Sequence, residues 1–330
     1  MQKKILYAIQ GTGNGHISRA REIIPLLQQH GELDILISGT QADVKLCQEV
    51  KYQLHGFSFI FGKNGGVDHL KTAKNMDLLS FYRDMKTLPL EEYNLIINDF
   101  EPVTAWACKR KGLSSISLSH QASFISAKVP KPKARDWGKV ILSKYAPTTY
   151  HIGFHFEKYD DFIHTPVIRN EIRNLQPSNL GHYTVYLPAI DDKHLVKLLK
   201  EIPKVQWEVF SKHCKRAYCD ANVLVEPVNN QKFNISMASA EGVLTGGGFE
   251  GPAEALFLGK KLLVAPMNFQ YEQKCNAFAL MQLGLPVLWD KHANWLATLK
   301  DFVKSKQEHQ FDFPDETANI ISNIVRTYSC

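Results

Sequence analysis

The segment VLTGGGFEGPAEALFLGKKLLVAPMNFQYEQKCNA, residues 243–277, decides the fold prediction. An apolar run ends at Leu244, glycines occupy positions 246–248, and Pro252 follows closely. Glycine lets the backbone turn and approach a ligand, and proline is tolerated in the first turn of a helix. We therefore predict a strand, a glycine turn and a helix from about Phe249 to Leu258, whose free N–H groups form an anion site.

A second predicted strand, Lys261–Ala265, ends at Pro266. A polar loop over Asn268–Gln273 then leads into another helix. Two strand-to-helix connections this close together form one binding edge of a parallel sheet. The alternative is a structural turn between a strand and a helix, with ordinary loop polarity.

The whole segment resembles the donor-binding region of GT-B glycosyltransferases, especially family 28 and the glucuronosyltransferases. The matching positions are Gly246–Gly248, Glu254, Pro266, Glu272–Gln273 and Asn276–Ala277. The resemblance implies that Glu254 binds the ribose of a nucleotide and that Glu272 and Gln273 contact the donor sugar. A carboxylate can accept two hydroxyl protons, and an amide both donates and accepts. The residues we assign to the donor site are Gly13, Gly15, Gly246, Gly247, Gly248, Phe249, Glu250, Glu254, Gln270, Glu272, Gln273 and Asn276.

The start of the chain predicts a strand–helix–strand unit. The apolar run Ile5–Ile9 is followed by GTGNGH at residues 11–16, a helix from about Ile17 to Gln29, and a strand over Leu33–Ser38. The glycines fit the dinucleotide fingerprint poorly, because the third comes one residue early and no acid ends the second strand. A nicotinamide site is therefore a weak alternative, and no P-loop is present.

The same loop resembles the G-x-G-x-H motif of family 28 enzymes at Gly13, Gly15 and His16. The resemblance implies that His16 lies in the cleft and deprotonates the acceptor, a task that suits the ordinary imidazole pKa of about 6.5. A non-basic cleft role and a structural role for His16 stay open. Asp99 follows the predicted strand Leu95–Asn98, so it orients His16, caps the helix that Pro102 opens, or does both.

A third motif follows the predicted strand Ser115–Leu118. His120 and Gln121 resemble the His-Glu-Gln loop of the bacterial lipid II N-acetylglucosaminyltransferase family, which faces the acceptor. Gln121 replaces the acid of that loop, so its negative charge is missing here. We assign Asn14, His120 and Gln121 to the acceptor site.

Residues 128–144, KVPKPKARDWGKVILSK, interleave basic and apolar side chains. One interpretation is a peripheral contact with an anionic membrane face. The other is a solvated loop followed by a helix with a basic face. The net charge of +6 and the pI near 8.8 favour a phosphorylated or lipid-linked acceptor and are too weak to indicate nucleic acid.

The strand and helix pattern restarts after residue 180, with a strand over Tyr183–Leu187 and a helix over Asp192–Lys200. We predict an α/β protein with two Rossmann-like domains facing across a cleft: residues 1–165, a linker over 166–180, and residues 181–330. The last helix is expected to cross back to the first domain. The first apolar run is too short for a signal peptide, and the six cysteines form no framework, so we expect a cytoplasmic protein.

These patterns predict a glycosyltransferase that uses a nucleotide-activated sugar, UDP-linked, and inverts the anomeric centre. No two aspartates lie two residues apart, so the D-x-D motif of metal-dependent transferases is absent and we expect neither metal nor cofactor. His213, Cys214 and Cys219 lack a second ligand pair at zinc spacing. The alternatives are a non-hydrolysing nucleotide-sugar 2-epimerase, which Arg19 and Glu101 keep open, and a non-catalytic binding protein for sugar nucleotides or lipids.

Overall fold

The structure is a computed structural model of the 330-residue chain. It describes residues 3–39, 46, 48–56, 77–132, 138, 142, 144–267, 270–289, 294–306 and 310–329. The glycine-rich sequence at 62–66, from which we predict a lip of the cleft, lies outside these residues, as does most of 133–143.

The N-terminal half, residues 3–164, contains a parallel sheet of seven strands in the order β3-β2-β1-β4-β5-β6-β7. Its long central strands are continuously apolar, as expected for strands buried on both faces. The strands are β1 Lys4–Gln10, β2 Glu32–Ser38, β3 Tyr52–Leu54, β4 Leu95–Asp99, β5 Ile116–Ser119, β6 Tyr150–Phe154 and β7 Ile163–His164.

The C-terminal half, residues 182–289, contains a six-stranded sheet in the order β10-β11-β9-β8-β12-β13. All its pairs are parallel except β10 with β11, which form an antiparallel hairpin at the edge. The strands are β8 His182–Tyr186, β9 Gln206–Ser211, β10 Tyr218–Asp220, β11 Val223–Pro227, β12 Gly242–Gly246 and β13 Lys261–Ala265. Two mostly parallel sheets with helices confirm the predicted α/β fold class, while the exact domain boundaries stay a prediction.

Helices connect the strands and cover the sheets. Among the described residues they are α1 Asn14–Gln28, α2 Leu78–Thr87, α3 Pro102–Lys111, α4 Asn170–Arg173, α5 Asp192–Lys200, α6 Asn230–Ser239, α7 Glu250–Phe257, α8 Tyr271–Gln282, α9 Trp295–Lys304 and α10 Thr317–Tyr328. Two predicted helix starts were late. Helix α1 begins at Asn14 rather than Ile17, and α8 begins at Tyr271, so Glu272 and Gln273 lie in a first helical turn rather than in a loop.

One apolar core runs through both halves. It includes Ile5 and Phe154 from the first sheet, Val243 from the second sheet, Phe249 just before α7, and Ile320 from α10. Helix α10 also lies against the N-terminal half, where Lys3 Nζ donates to Ser329 Oγ at 2.7 Å. Burying apolar surface between the halves is favourable, so the cleft described below has a packed floor.

Helix α3 begins with a buried carboxylate that holds the end of β4 in place. Glu101 accepts hydrogen bonds from the backbone N–H groups of Val103 (2.7 Å) and Thr104 (2.6 Å) and from Ser38 Oγ (2.7 Å). The residue that caps this helix is therefore Glu101, and the alternative that gave the cap to Asp99 is wrong.

We expect Glu101→Ala to lower the free energy of unfolding by about 1–3 kcal/mol, because it leaves buried donors without a partner. Urea denaturation measures the change. Asp77→Ala, which removes the exposed cap of α2, is the matched control and should cost less. Equal losses in the two variants would contradict the assignment of Glu101 as a buried cap that stabilises the fold more than an exposed one.

Candidate active site

The carboxyl ends of the strands in both sheets open onto one cleft. Two adjoining cavities of about 770 and 750 Å³ occupy it. Asn14, Tyr186, Lys212 and Phe249 line both cavities, so the two spaces are continuous across the interface between the halves. Ligands of parallel α/β sheets bind at this edge.

His16 lies in the first turn of α1, directly after the β1 strand and its glycine turn. Gly13 has a φ of 87°, which only glycine adopts readily, and this turn brings α1 to the edge of the cleft. His16 Nδ1 lies 2.7 Å from Asp99 Oδ1. Because a carboxylate only accepts, Nδ1 carries the proton of this bond, so in the neutral ring Nε2 holds the lone pair; Arg19 Nη2 also lies 3.1 Å from Nδ1 and donates to the same carboxylate. Within the described part of the chain, Nε2 makes no hydrogen bond.

Asp99 is the last residue of β4 and is fully buried. Burial alone would raise its pKa, but the charges of Arg19 and His16 and their hydrogen bonds outweigh that effect and hold the pKa below its ordinary value. The next residue, Phe100, has a φ of 56°, an uncommon conformation for a large side chain. This local strain turns the chain between Asp99, which faces His16, and Glu101, which caps α3.

Arg19 completes a buried network that links the halves. Its guanidinium bonds both oxygens of Asp99 at 2.7–3.1 Å, and its Nη1 donates to Glu250 Oε1 of α7 at 2.5 Å. Burial alone would lower the pKa of Arg19, but these two carboxylates raise it. From the sequence, Arg19 supports only the epimerase alternative, although its position three residues after His16 places both on one helix face.

The predicted glycine turn connects β12 to α7 across the cleft from His16. A Cβ on Gly247 would lie 2.9 Å from the backbone oxygen of Gln273, and one on Gly15 would lie 2.5 Å from Glu250 Oε2. Gly246 and Gly248 line the larger cavity with Gln270, Glu272 and Gln273. The Gln273 amide oxygen accepts the Met267 N–H at 3.0 Å, which ties the residue after Pro266 to the first turn of α8.

Glu254 lies one turn into α7 and is paired with a residue that the sequence analysis missed. Arg169 donates to Glu254 Oε1 at 2.5 Å and to Oε2 at 2.8 Å. Burial raises the pKa of Glu254, and Arg169 opposes that rise. Both residues line the smaller cavity. Arg169 comes from the polar segment predicted as the linker, where no local pattern signals its partner 85 residues away.

His120, Gln121 and Asn276 meet where the two halves touch. The His120 ring stacks on Phe249 with centroids 3.8 Å apart, and its Nε2 lies 2.7 Å from Asn276 Oδ1. His120 and Gln121 still line the larger cavity, although both are less than a tenth exposed. The structure therefore brings the predicted acceptor and donor residues together in one cleft.

The described part of the basic segment 128–144 is held by local contacts. Lys128 Nζ lies 2.8 Å from Asp160, and Lys131 Nζ donates to the Ser126 carbonyl at 2.6 Å. Membrane contact through this segment stays a prediction. None of the described helices is long and apolar enough to cross a membrane. Among the described residues, no three His, Cys, Asp or Glu side chains are grouped as metal ligands.

Solved structures show which class of protein this fold defines. MurG of Acinetobacter baumannii is 15% identical, with a TM-score of 0.60, 98% of this chain covered and 100% of MurG covered. A UDP-glucosyltransferase from Polygonum tinctorium is 13% identical, with a TM-score of 0.60 and coverage of 100% and 94%. A Streptomyces sp. SF2575 glycosyltransferase, complexed with thymidine diphosphate, is 13% identical, with a TM-score of 0.56 and coverage of 99% and 96%. The fold is that of the GT-B glycosyltransferases.

Residues 3–306 match the family described as glycosyl transferase family 1. The chain belongs to this family and is a glycosyltransferase, as the sequence analysis predicted. No curated protein matches the chain.

Proposed function

We propose that this enzyme transfers a sugar from a UDP-linked donor to a hydroxyl group of an acceptor, with inversion at the anomeric carbon and without a metal ion. The observation that carries the proposal is the position of the His16–Asp99 pair across one cleft from the glycine turn at the start of α7; within the described residues, His16 Nε2 makes no hydrogen bond. The proposed base therefore faces the proposed leaving group.

In the proposed reaction, His16 Nε2 takes the proton of the acceptor hydroxyl while its oxygen attacks the anomeric carbon. The bond from that carbon to the diphosphate breaks on the opposite face, and the nucleoside diphosphate leaves with the electron pair. Asp99 accepts a hydrogen bond from His16 Nδ1–H. This bond holds the orientation of the ring and stabilises the imidazolium that forms. Arg19 positions Asp99 from the other side.

The donor is proposed to lie with its diphosphate at the glycine turn and the first turn of α7. Unpaired backbone N–H groups at such a helix start stabilise the charge that develops on the leaving group. Glu254 is proposed to bind the ribose, and Glu272 and Gln273 the sugar. Glu254 keeps acceptor capacity for hydroxyl groups beside its two bonds to Arg169, because a carboxylate has about four lone-pair sites.

The proposed acceptor is lipid-linked or phosphorylated. Support comes from the net charge of +6 and from the basic composition of residues 128–144. Asn14 at the start of α1 and His120 and Gln121 after β5 line the larger cavity on the His16 side. The epimerase alternative gains no support, because Glu101 is committed to capping α3 and lines neither cavity.

The test is thermal stability with a panel of UDP, TDP, UDP-glucose, TDP-glucose and NAD. A ligand that binds only the folded state adds about 2.7 kcal/mol at one hundred times its Kd. We expect UDP and UDP-glucose to raise the melting temperature of wild type, and Glu254→Ala to lose that rise. Glu241→Ala is the matched control, since Glu241 pairs with Lys261 at 2.6 Å away from both cavities.

The comparison uses the shift caused by the ligand, because Glu254→Ala also leaves Arg169 unpaired and lowers the starting stability. A shift with thymidine nucleotides alone would keep the mechanism and change the donor. A shift with NAD and with no other nucleotide would overturn the transferase proposal. Incubation with the donor alone separates the remaining class, because an epimerase converts the donor in the absence of an acceptor.

A further inference from the structure

A chain of three polar contacts joins the two halves beside the proposed donor site. His120 Nδ1 lies 2.8 Å from the Phe154 carbonyl oxygen, and Nε2 lies 2.7 Å from Asn276 Oδ1. Asn276 Nδ2 donates to the Gly247 carbonyl oxygen at 3.1 Å. His120 is 1% exposed and Asn276 is fully buried, so these groups must satisfy one another rather than bulk water.

The hydrogens available to these contacts can be counted. The Phe154 and Gly247 carbonyls at the two ends only accept, and a neutral imidazole has one N–H. If Nδ1–H donates to Phe154, Nε2 and the Asn276 oxygen face each other as two acceptors. If the Asn276 amide is reversed, its NH₂ group donates to His120 Nε2, but its oxygen then faces the Gly247 carbonyl oxygen, and these are again two acceptors. A neutral His120 therefore satisfies two of the three contacts, whereas the imidazolium satisfies all three.

The surroundings of His120 oppose this second proton in the free enzyme. Burial lowers the pKa of His120. The carboxylates of Glu272 on α8 and Glu250 on α7 oppose this decrease, and so do the hydrogen bonds that His120 makes. The neighbouring His155 ring lies 5.2 Å away, and burial together with the charges of His120 and Lys131 holds the pKa of His155 well below its ordinary value. Adding a negative charge nearby would favour the imidazolium.

The proposed donor diphosphate is such a charge. The carbonyl at the end of the contact chain belongs to Gly247 of the glycine turn, and the His120 ring stacks on Phe249, the residue immediately before α7. His120 also borders the larger cavity. A diphosphate at the start of α7 would therefore lie close to the His120 ring, whose neutral form has one N–H too few for the three contacts.

We propose that His120 takes up one proton from solvent when a nucleotide sugar binds, and that the imidazolium then fixes the glycine turn and α8 against the N-terminal half. The inference rests on the proposed function, because the ligand that supplies the charge is the donor. His120 is then a positioning residue of the donor site, and both its ring nitrogens are committed to protein groups rather than to the acceptor.

Calorimetric titration with UDP-glucose, and in parallel with TDP-glucose, tests the inference. Neither diphosphate diester exchanges a proton near neutral pH, so the difference in heat between phosphate and Tris buffers counts protons taken up by the protein. We expect about one proton per bound nucleotide sugar at a pH between the two pKa values of His120, free and bound. In that window Kd should rise about tenfold per pH unit, since one proton binds with the ligand.

Two variants test the assignment to His120. His120→Gln should abolish proton uptake and flatten the pH dependence of Kd. Asn276→Asp should also abolish uptake, because its carboxylate keeps His120 charged before the ligand arrives; since Asn276 belongs to the proposed donor site, we expect a higher Kd, and the uptake is counted on the nucleotide sugar that binds. This second variant and the wild-type pH series decide the question even if His120→Gln fails to fold. His213→Gln is the matched control, since His213 lines the same cavity, and should retain the uptake.

The outcomes separate this inference from the proposed function. If neither nucleotide sugar binds wild type, the proposed function fails and the inference with it. If one binds without proton uptake, the inference alone is overturned. Uptake that persists in His120→Gln and disappears in His16→Gln would assign the proton to the proposed base and would also overturn it.

Discussion

Replacing His16 with glutamine should lower kcat by about 10²–10⁴-fold, the usual contribution of a positioned general base. Glutamine keeps the polarity and approximate size of the side chain but cannot take a proton from the acceptor. The Kd of the nucleotide sugar should change little, because the proposed donor contacts lie on the other side of the cleft. Steady-state kinetics with a saturating donor and a calorimetric Kd measure the two effects separately.

The control for this substitution is His30→Gln. His30 follows the same helix α1 at its far end and lies 3.5 Å from Ser322 of α10, away from both cavities. The His30→Gln enzyme should have the same kcat as wild type. A His16→Gln enzyme with kcat within about threefold of wild type would leave His16 as a cleft residue that is not the base, one of the alternatives open at the level of sequence.

Elements whose local pattern and burial agree were predictable from sequence. Strand β13 and helix α5 begin and end where the sequence predicts, at Lys261–Ala265 and Asp192–Lys200. The strand is apolar because helices cover both faces. The helix has an Asp191 cap that accepts from the N–H groups of Lys193 and His194 and an apolar face that packs on the sheet. In both cases local chemistry and tertiary packing favour the same structure.

Elements at the cleft and at sheet edges were less predictable. Residues 270–273 are polar because they border the cleft, so their composition indicated a loop where α8 begins. Strands β7 and β10 contain two and three residues, too few to show any periodicity. Short edge strands form because a neighbouring strand offers free backbone groups, and that information lies in the neighbour rather than in the segment itself.

The candidate site was predictable for residues carried by motifs and not for their long-range partners. Gly13, His16 and the glycine turn were found through their resemblance to family motifs, and the structure places them around one cleft. The pairing of Arg169 with Glu254 spans 85 residues, and that of Arg19 with Glu250 spans 231. Neither pair has a sequence spacing that a helix or strand would impose, so only the packing of the two halves reveals it.

Arg19→Met should give the largest loss of stability among these substitutions, about 3–5 kcal/mol in the free energy of unfolding. It leaves the buried Asp99 carboxylate without its cation, and a buried charge that loses its partner is strongly destabilising. Urea denaturation at neutral pH measures the loss. Arg110→Met is the matched control, because Arg110 is exposed on α3 and stacks on Tyr82 at 4.9 Å, and it should change stability little.

The double variant Arg19→Met with Asp99→Asn separates the structural role of this pair from its catalytic role. Removing both charges should recover part of the lost stability, while activity stays low because His16 loses its carboxylate acceptor.

The direction of the Asp99 pKa shift adds a second check. The pKa of Asp99 in the folded protein lies below the ordinary value of 3.8. The ionised carboxylate therefore contributes fully to the free energy of unfolding above pH 3.8, and this contribution is lost as the pH falls below it. The stability difference between wild type and Arg19→Met should therefore shrink in acid, and a difference that stays constant down to about pH 3 would show that the Arg19–Asp99 charge pair is not its cause.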